Sequence, residues 1–441
     1  MQHTMRHTLL VLLLAAMSCV PSMAQNRIDT IRADAPELAA YGSHTIGVRT
    51  LTFVNPNQID VLAIDPGLPE PDPLPRYDRP ITVEIWYPAE KDANGSHILK
   101  TTMRDGKREI EFIGKAVRDA APEGNAMYPL VIVSHGFPGN RFLLSPLAEN
   151  IASKGYVVVS IDHTDSTYAT YQNRMSFTST LVNRPLDQLF VLNQIAKLST
   201  DSKSFLYGIV DANNTAIVGY SMGAYGATIS AGAGITQKGA ASVPFSLLDI
   251  WMSGSASRKA MLDQRIKTIV TFGVPLMNGL FDADSITTIG IPMLLIGGSV
   301  DDVAGYEQSI RPLWKAATSV DRALLTFENA NHNAGAPMPP PQEDNRFDEK
   351  LNMNLANHYI DAVWDNVRMN NVSEHFVTAW LNKYLKSDPA MDAYLDLIPA
   401  SNDGVWAVNK DGTFKPEHSY WKGFPNRTAK GLRFETLKAG E

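Results

Sequence analysis

Three stretches of this sequence carry residue types that could perform nucleophilic chemistry together. In IVGYSMGAYG (217–226), Ser221 stands between Gly219 and Gly223, directly after an apolar run rich in β-branched residues. A G-x-S-x-G match alone is weak, but the run TAIVGY (215–220) reads as a strand and the following segment as a helix, the setting of a nucleophile elbow. A serine hydroxyl attacks poorly near neutral pH unless a base takes its proton and an acid orients that base. MLLIGGSVDDV places Asp301 and Asp302 just beyond a second apolar run, and LLTFENANHN places His332 just beyond a third. The order is nucleophile, acid, histidine. Asp301, three residues after Gly298, fits the loop better than Asp302, although either aspartate could instead cap a helix starting near Tyr306.

Attack on a carbonyl also creates an oxyanion, which needs donors already aimed at it. The backbone N–H of Met222, next after the nucleophile, is one expected donor. The loop SHGFPGN (134–140), at the end of another apolar run, offers the N–H of Phe137 as the second. His135 in that loop reads as a structural histidine bonded to backbone. His163, in SIDHTDSTY, also sits at a strand end and is a candidate for lining the substrate pocket.

These residues need a scaffold that brings several strand ends to one edge. Strands are expected at 46–53 and 81–89, whose alternation suits the sheet margin, and at 128–136, 156–162, 215–220, 266–275, 291–298 and 323–332, most of them apolar throughout as in a buried parallel sheet. Helices are expected at 145–155, with Ser145 as N-cap, Pro146 in the first turn and Gly155 as terminator, and at 183–200, after Ser221, and over 372–386. Segment 91–127 reads as a loop or small excursion, and the Pro-rich stretches 66–80 and 336–342 as stiff loops. Strands alternating with helices define an α/β fold with a doubly wound, mainly parallel central sheet. Segment 233–262 is either a cap over the site, with Phe245, Leu248 and Trp251 facing substrate, or plain core. The domain is expected to span 25–386, with 387–441 as a C-terminal extension.

The 441 residues carry a net charge of -7, so there is no basic field for nucleic acid. Residues 1–24 combine Arg6, the apolar run Leu9 to Met17 and the small pair Ser22 and Ala24 around Met23, the pattern of a cleaved export signal; the run is too short to span a bilayer comfortably. A lipoprotein signal ending at Cys19 is the rival reading. Cys19 is the single cysteine. A mature chain starting after Ala24 would therefore lack disulfides, a cysteine nucleophile and thiolate metal sites, and serine chemistry of this kind requires no metal or organic cofactor.

The stretches YPLVIVSHGFPGNRFLLSPLAENIASKGYVVVSIDH, GYSMG, LLIGGSVDD and ENANHNAGAP together resemble the α/β-hydrolase superfamily, in particular bacterial dienelactone-hydrolase-like serine hydrolases, close to platelet-activating-factor acetylhydrolases and cutinase-type polyester hydrolases. The resemblance covers about residues 46 to 386. Ser221 stands where dienelactone hydrolases use cysteine; Tyr220 and Met222 flank it where the acetylhydrolases carry His and Phe, and Ser-Met-Gly is closer to the polyester hydrolases. What the resemblance implies is a secreted carboxylic-ester hydrolase using Ser221, His332 and Asp301 on a small or polymeric ester. A serine peptidase or amidase on the same scaffold, or a hydrolase-like binding protein without turnover, are the alternatives.

Overall fold

The computed structural model describes residues 26–124, 126–171, 174–275 and 279–441. The export signal read from residues 1–24, and Cys19 with it, lie outside them.

Fourteen strands run in chain order: β1 (Thr45–Ile59), β2 (Arg76–Ala89), β3 (Ile98–Thr102), β4 (Glu109–Ile113), β5 (Val117–Arg118), β6 (Tyr128–Ser134), β7 (Val157–Asp162), β8 (Val210–Tyr220), β9 (Ile266–Phe272), β10 (Met293–Gly298), β11 (Arg322–Phe327), β12 (Phe347–Asp348), β13 (Met353–Asn354) and β14 (Leu432–Leu437). Ten of them form one sheet in the order β14-β11-β10-β9-β8-β6-β7-β2-β1-β5. From β7 to β11 every neighbouring pair is parallel, whereas β1, β2 and β14 join antiparallel at the two margins. The central strands are apolar on both faces because both faces are covered. In β6, Leu130 and Ile132 enter one core layer while Val131 and Val133 enter the other, the two-residue alternation of a strand.

Helices α1 (Ser145–Ala152), α2 (Arg174–Thr200) and α3 (Met222–Ser230) follow β6, β7 and β8. α2 and α3 cover the first layer, and α1 with the helix Asn366–Leu385 covers the second. The expected N-cap of α1 is corrected: Leu144 holds that position, Ser145 is the first helical residue, and its side chain caps nothing. α2 starts nine residues before the expected Asn183 and contains Pro185. Proline has no N–H for the carbonyl four residues back. That carbonyl, on Leu181, instead accepts the Tyr225 hydroxyl of α3 at 2.9 Å, so the break in α2 becomes a clamp on the elbow helix.

Two peripheral segments are more ordered than their sequence suggests. Segment 91–127 holds the hairpin β3–β4 and the short β5 that pairs with β1. Segment 387–441 ends in β14, which pairs with β11 from Leu432 to Leu437 and completes the sheet beyond the strand that carries His332.

Candidate active site

The elbow is built by crowding. Ser221 has φ 53° and ψ −117°, a left-handed region that a residue with a Cβ enters at a cost of about 1–3 kcal/mol. Its N–H donates to the Phe272 carbonyl of β9 at 2.8 Å, which anchors the turn. A Cβ on Gly219 would lie 2.4 Å from the Gly223 backbone, and one on Gly223 would lie 1.9 Å from the Ser134 carbonyl. Neither position admits a side chain, so both glycines are required for β8 to turn into α3 beneath β6.

Around that turn the structure assembles residues far apart in sequence. His332 Nε2 lies 3.0 Å from Ser221 Oγ, and its Nδ1 lies 2.9 Å from Asp301 Oδ2. The other Asp301 oxygen accepts the backbone N–H groups of Val303 at 3.0 Å and Ala304 at 2.8 Å. Asp301 thus caps its own turn and holds the histidine with the same carboxylate. Burial pushes its pKa up, but the bond and charge of His332 and those two N–H donors outweigh burial and hold it below the usual carboxylate value. Asp302 is exposed, with its backbone N–H on Asn331 Oδ1 at 3.1 Å, and sits at the rim of the cleft without joining His332.

A cleft of about 460 Å³ opens over Ser221 and His332, with Phe137 and Tyr220 at its floor. The backbone N–H groups of Phe137 and Met222 donate to no acceptor among the described residues. One wall is a segment to which the sequence pattern assigned no element: β13 and the turn after it supply Met353, Asn357, His358 and Ile360. Asn333, beside the histidine, ties this wall down, accepting the Tyr220 hydroxyl at 2.8 Å and donating to the Ile360 carbonyl at 2.7 Å. Asp361 does the same from the wall's end, accepting the Asn331 N–H at 2.7 Å. The run of asparagines around His332 was the available signal, because asparagine side chains commonly bridge loop backbone. His358 Nε2 shares a 2.9 Å hydrogen bond with the Tyr168 hydroxyl, and burial followed by the nearby Arg104 cation lowers its pKa to about 3.

Three other residues singled out in the sequence lie elsewhere. His163 does not line the cleft: it is buried, bonded through Nε2 to Ser134 Oγ at 2.8 Å and through Nδ1 to Asp187 at 2.9 Å. His135 is also buried, with Nδ1 on the Gly136 carbonyl at 2.7 Å and Nε2 accepting the His163 N–H. Trp251 is corrected as well, because its indole N–H donates to the Val182 carbonyl of α2 at 3.1 Å and its ring belongs to the core. No residue of 233–262 lines this cleft; Leu248 and Trp251 are fully buried beside α2. Among the described residues, no group of three or more His, Cys, Asp and Glu side chains is placed to hold a metal ion, and no helix is long and apolar enough to cross a membrane.

A hydroxyl bonded to an imidazole that a buried carboxylate orients, on a strained elbow at the C-terminal edge of a mainly parallel sheet flanked by helices, gives the chain an α/β-hydrolase-like fold. A solved ferulic acid esterase from Streptomyces cinnamoneus superimposes with a TM-score of 0.54 at 21% identity, covering 81% of this chain and 96% of that one. Residues 73–196 match the family of platelet-activating factor acetylhydrolase, isoform II. The chain is also 25% identical over 215 residues to a cutinase from Thermobifida alba, covering 48% of this chain and 56% of the relative. It is 29% identical over 136 residues to the platelet-activating factor acetylhydrolase of Bos taurus, covering 30% of this chain and 29% of the relative. The matches therefore span about half the length, or less, of these curated relatives.

Proposed function

We propose that the protein hydrolyses carboxylic esters through an acyl-enzyme on Ser221. The observation that carries this reading is the 3.0 Å bond between Ser221 Oγ and His332 Nε2 at the floor of an open cleft. Ser221 Oγ attacks the ester carbonyl as its proton passes to His332 Nε2, and Asp301 stabilises the imidazolium through Nδ1. The tetrahedral oxyanion is received by the N–H groups of Met222 and Phe137. His332 then hands its proton to the leaving alkoxide, and the acyl-enzyme is cleaved by a water that His332 deprotonates in turn. No metal or organic cofactor enters these steps. The names of the relatives, cutinase, acetylhydrolase and ferulic acid esterase, all denote action on esters and support that bond as the target.

The test is turnover of p-nitrophenyl esters of increasing acyl length beside a phospholipid and a polyester, with Ser221→Ala as control. A fluorophosphonate should label Ser221 in the wild type and leave Ser221→Ala unlabelled; turnover surviving in that variant would sink the assignment. Export after cleavage behind Ala24 belongs to the same proposal, and the N-terminus of protein recovered outside the cytoplasm checks it.

A further inference from the structure

The second oxyanion donor sits in a peptide that glycine leaves free to turn. Phe137 N–H shares a planar unit with the carbonyl of Gly136, and in a trans peptide the two point in opposite directions. Whatever holds that carbonyl aims the N–H. Two donors hold it: His135 Nδ1 at 2.7 Å and Arg184 Nη2 at 2.9 Å. Arg184 is buried in α2, and its other terminal nitrogen donates to the His135 carbonyl while Nη2 also reaches Ser166 Oγ at 2.8 Å. The nearby carboxylates of Asp165 and Asp187 are occupied by Arg79, so the Arg184 guanidinium is directed at carbonyls. One turn further along α2, Gln188 Nε2 donates to the Gly223 carbonyl at 3.2 Å, in the first turn of α3. A single face of α2 therefore grips both walls of the oxyanion site.

We propose that Arg184 is a positioning residue of the oxyanion hole, fixing the Gly136–Phe137 peptide so that Phe137 N–H faces a carbonyl oxygen bonded to Ser221. The inference rests on the ester-hydrolase reading above. Without the guanidinium the peptide can rotate about the bonds flanking it, and a turned peptide would offer the developing oxyanion a carbonyl in place of a donor. A bidentate donor holds two successive carbonyls in a fixed relation; a lysine ammonium at the same place keeps the charge but not the fork.

The experiment compares the full-length wild type with Arg184→Lys and Arg184→Met. Competent sites are counted by titration with a fluorophosphonate run to completion, and kcat per site is measured on an ester and on its thiono counterpart, whose sulfur accepts poorly from N–H donors. A positioning role predicts that Arg184→Lys lowers per-site kcat on the oxygen ester about 10- to 100-fold, with KM within about twofold, and lowers thiono-ester turnover by less than about threefold. Arg184→Met should lose at least as much on the oxygen ester. If it fails to fold, Arg184→Lys alone decides. Unchanged per-site kcat, or equal losses on both esters, would overturn the proposal, whereas turnover retained by Ser221→Ala would overturn the parent reading.

Discussion

Two serines in this molecule each hold a histidine that holds an aspartate. Ser221, His332 and Asp301 are linked at 3.0 and 2.9 Å; Ser134, His163 and Asp187 are linked at 2.8 and 2.9 Å. By distance alone the two sets are equivalent. They differ in everything around those distances. Ser134, His163 and Asp187 are each no more than 1% exposed, and Asp187 also takes a two-pronged bond from Arg79, so the second set is a sealed structural network. His332 keeps 13% of its side chain exposed, and its serine stands on a strained turn beneath an open cleft. An imidazole within hydrogen-bond reach can take a serine's proton and make its oxygen nucleophilic, and both serines have one; access and backbone strain are what separate them.

The contrast can be broken most sharply at the two serines. Ser221→Ala should lower kcat by about four to six orders of magnitude, whereas Ser134→Ala should change per-site kcat by less than about threefold, measured on a p-nitrophenyl ester after phosphonate titration. The acids give the next largest separation. Asp301→Asn should cost about three to four orders of magnitude in kcat, and Asp302→Asn less than about threefold; equal losses would mean that the orienting acid has been misplaced. Stability should reverse the ranking. Asp187→Asn leaves Arg79 and His163 short of a buried partner and should cost about 3–5 kcal/mol in urea unfolding, while Ser221→Ala should cost nothing or stabilise by relieving crowding at the elbow.

Acid should separate the two sets more gently. Burial, then the cations Arg184 and Arg79, hold the His163 pKa well below its usual value. A depressed histidine contributes stability that is complete above its unfolded pKa and is lost as pH falls below about 6.5. Asp301 is likewise depressed, so its contribution is lost only below about pH 4, the unfolded carboxylate value. Urea unfolding against pH should therefore show the stability advantage of the wild type over His163→Asn shrinking at a higher pH than its advantage over Asp301→Asn. A common window for both would contradict the assignment of the two environments.

Much of the fold was legible because a strand buried on both faces needs an uninterrupted apolar run, and β6, β7, β9 and β10 each have one. The elbow was legible because a turn this tight demands glycine on both sides of the serine. Other features had no local signature. β14 is a short run with charged residues on one side, and it becomes a strand only because β11 offers an unpaired edge. Trp251 has the composition of a substrate contact, yet the carbonyl of Val182 beside the proline of α2 gives its N–H a buried partner. The cleft wall at 353–361 follows from three loop bonds between residues whose sequence is merely polar.

Glycine spacing and apolar runs are local constraints on the backbone, so the sequence alone was enough to place Ser221 on a tight turn at a strand end, with an aspartate and a histidine at the ends of later strands. Only the tertiary structure decided which aspartate meets the histidine, and which of two serine–histidine–aspartate sets opens to a cleft. It also decided that an arginine from α2 holds the peptide behind Phe137. Those choices depend on distances between loops that no chain-local rule specifies, and burial seals the same three side-chain types in one place while the fold leaves them open to a cleft in the other.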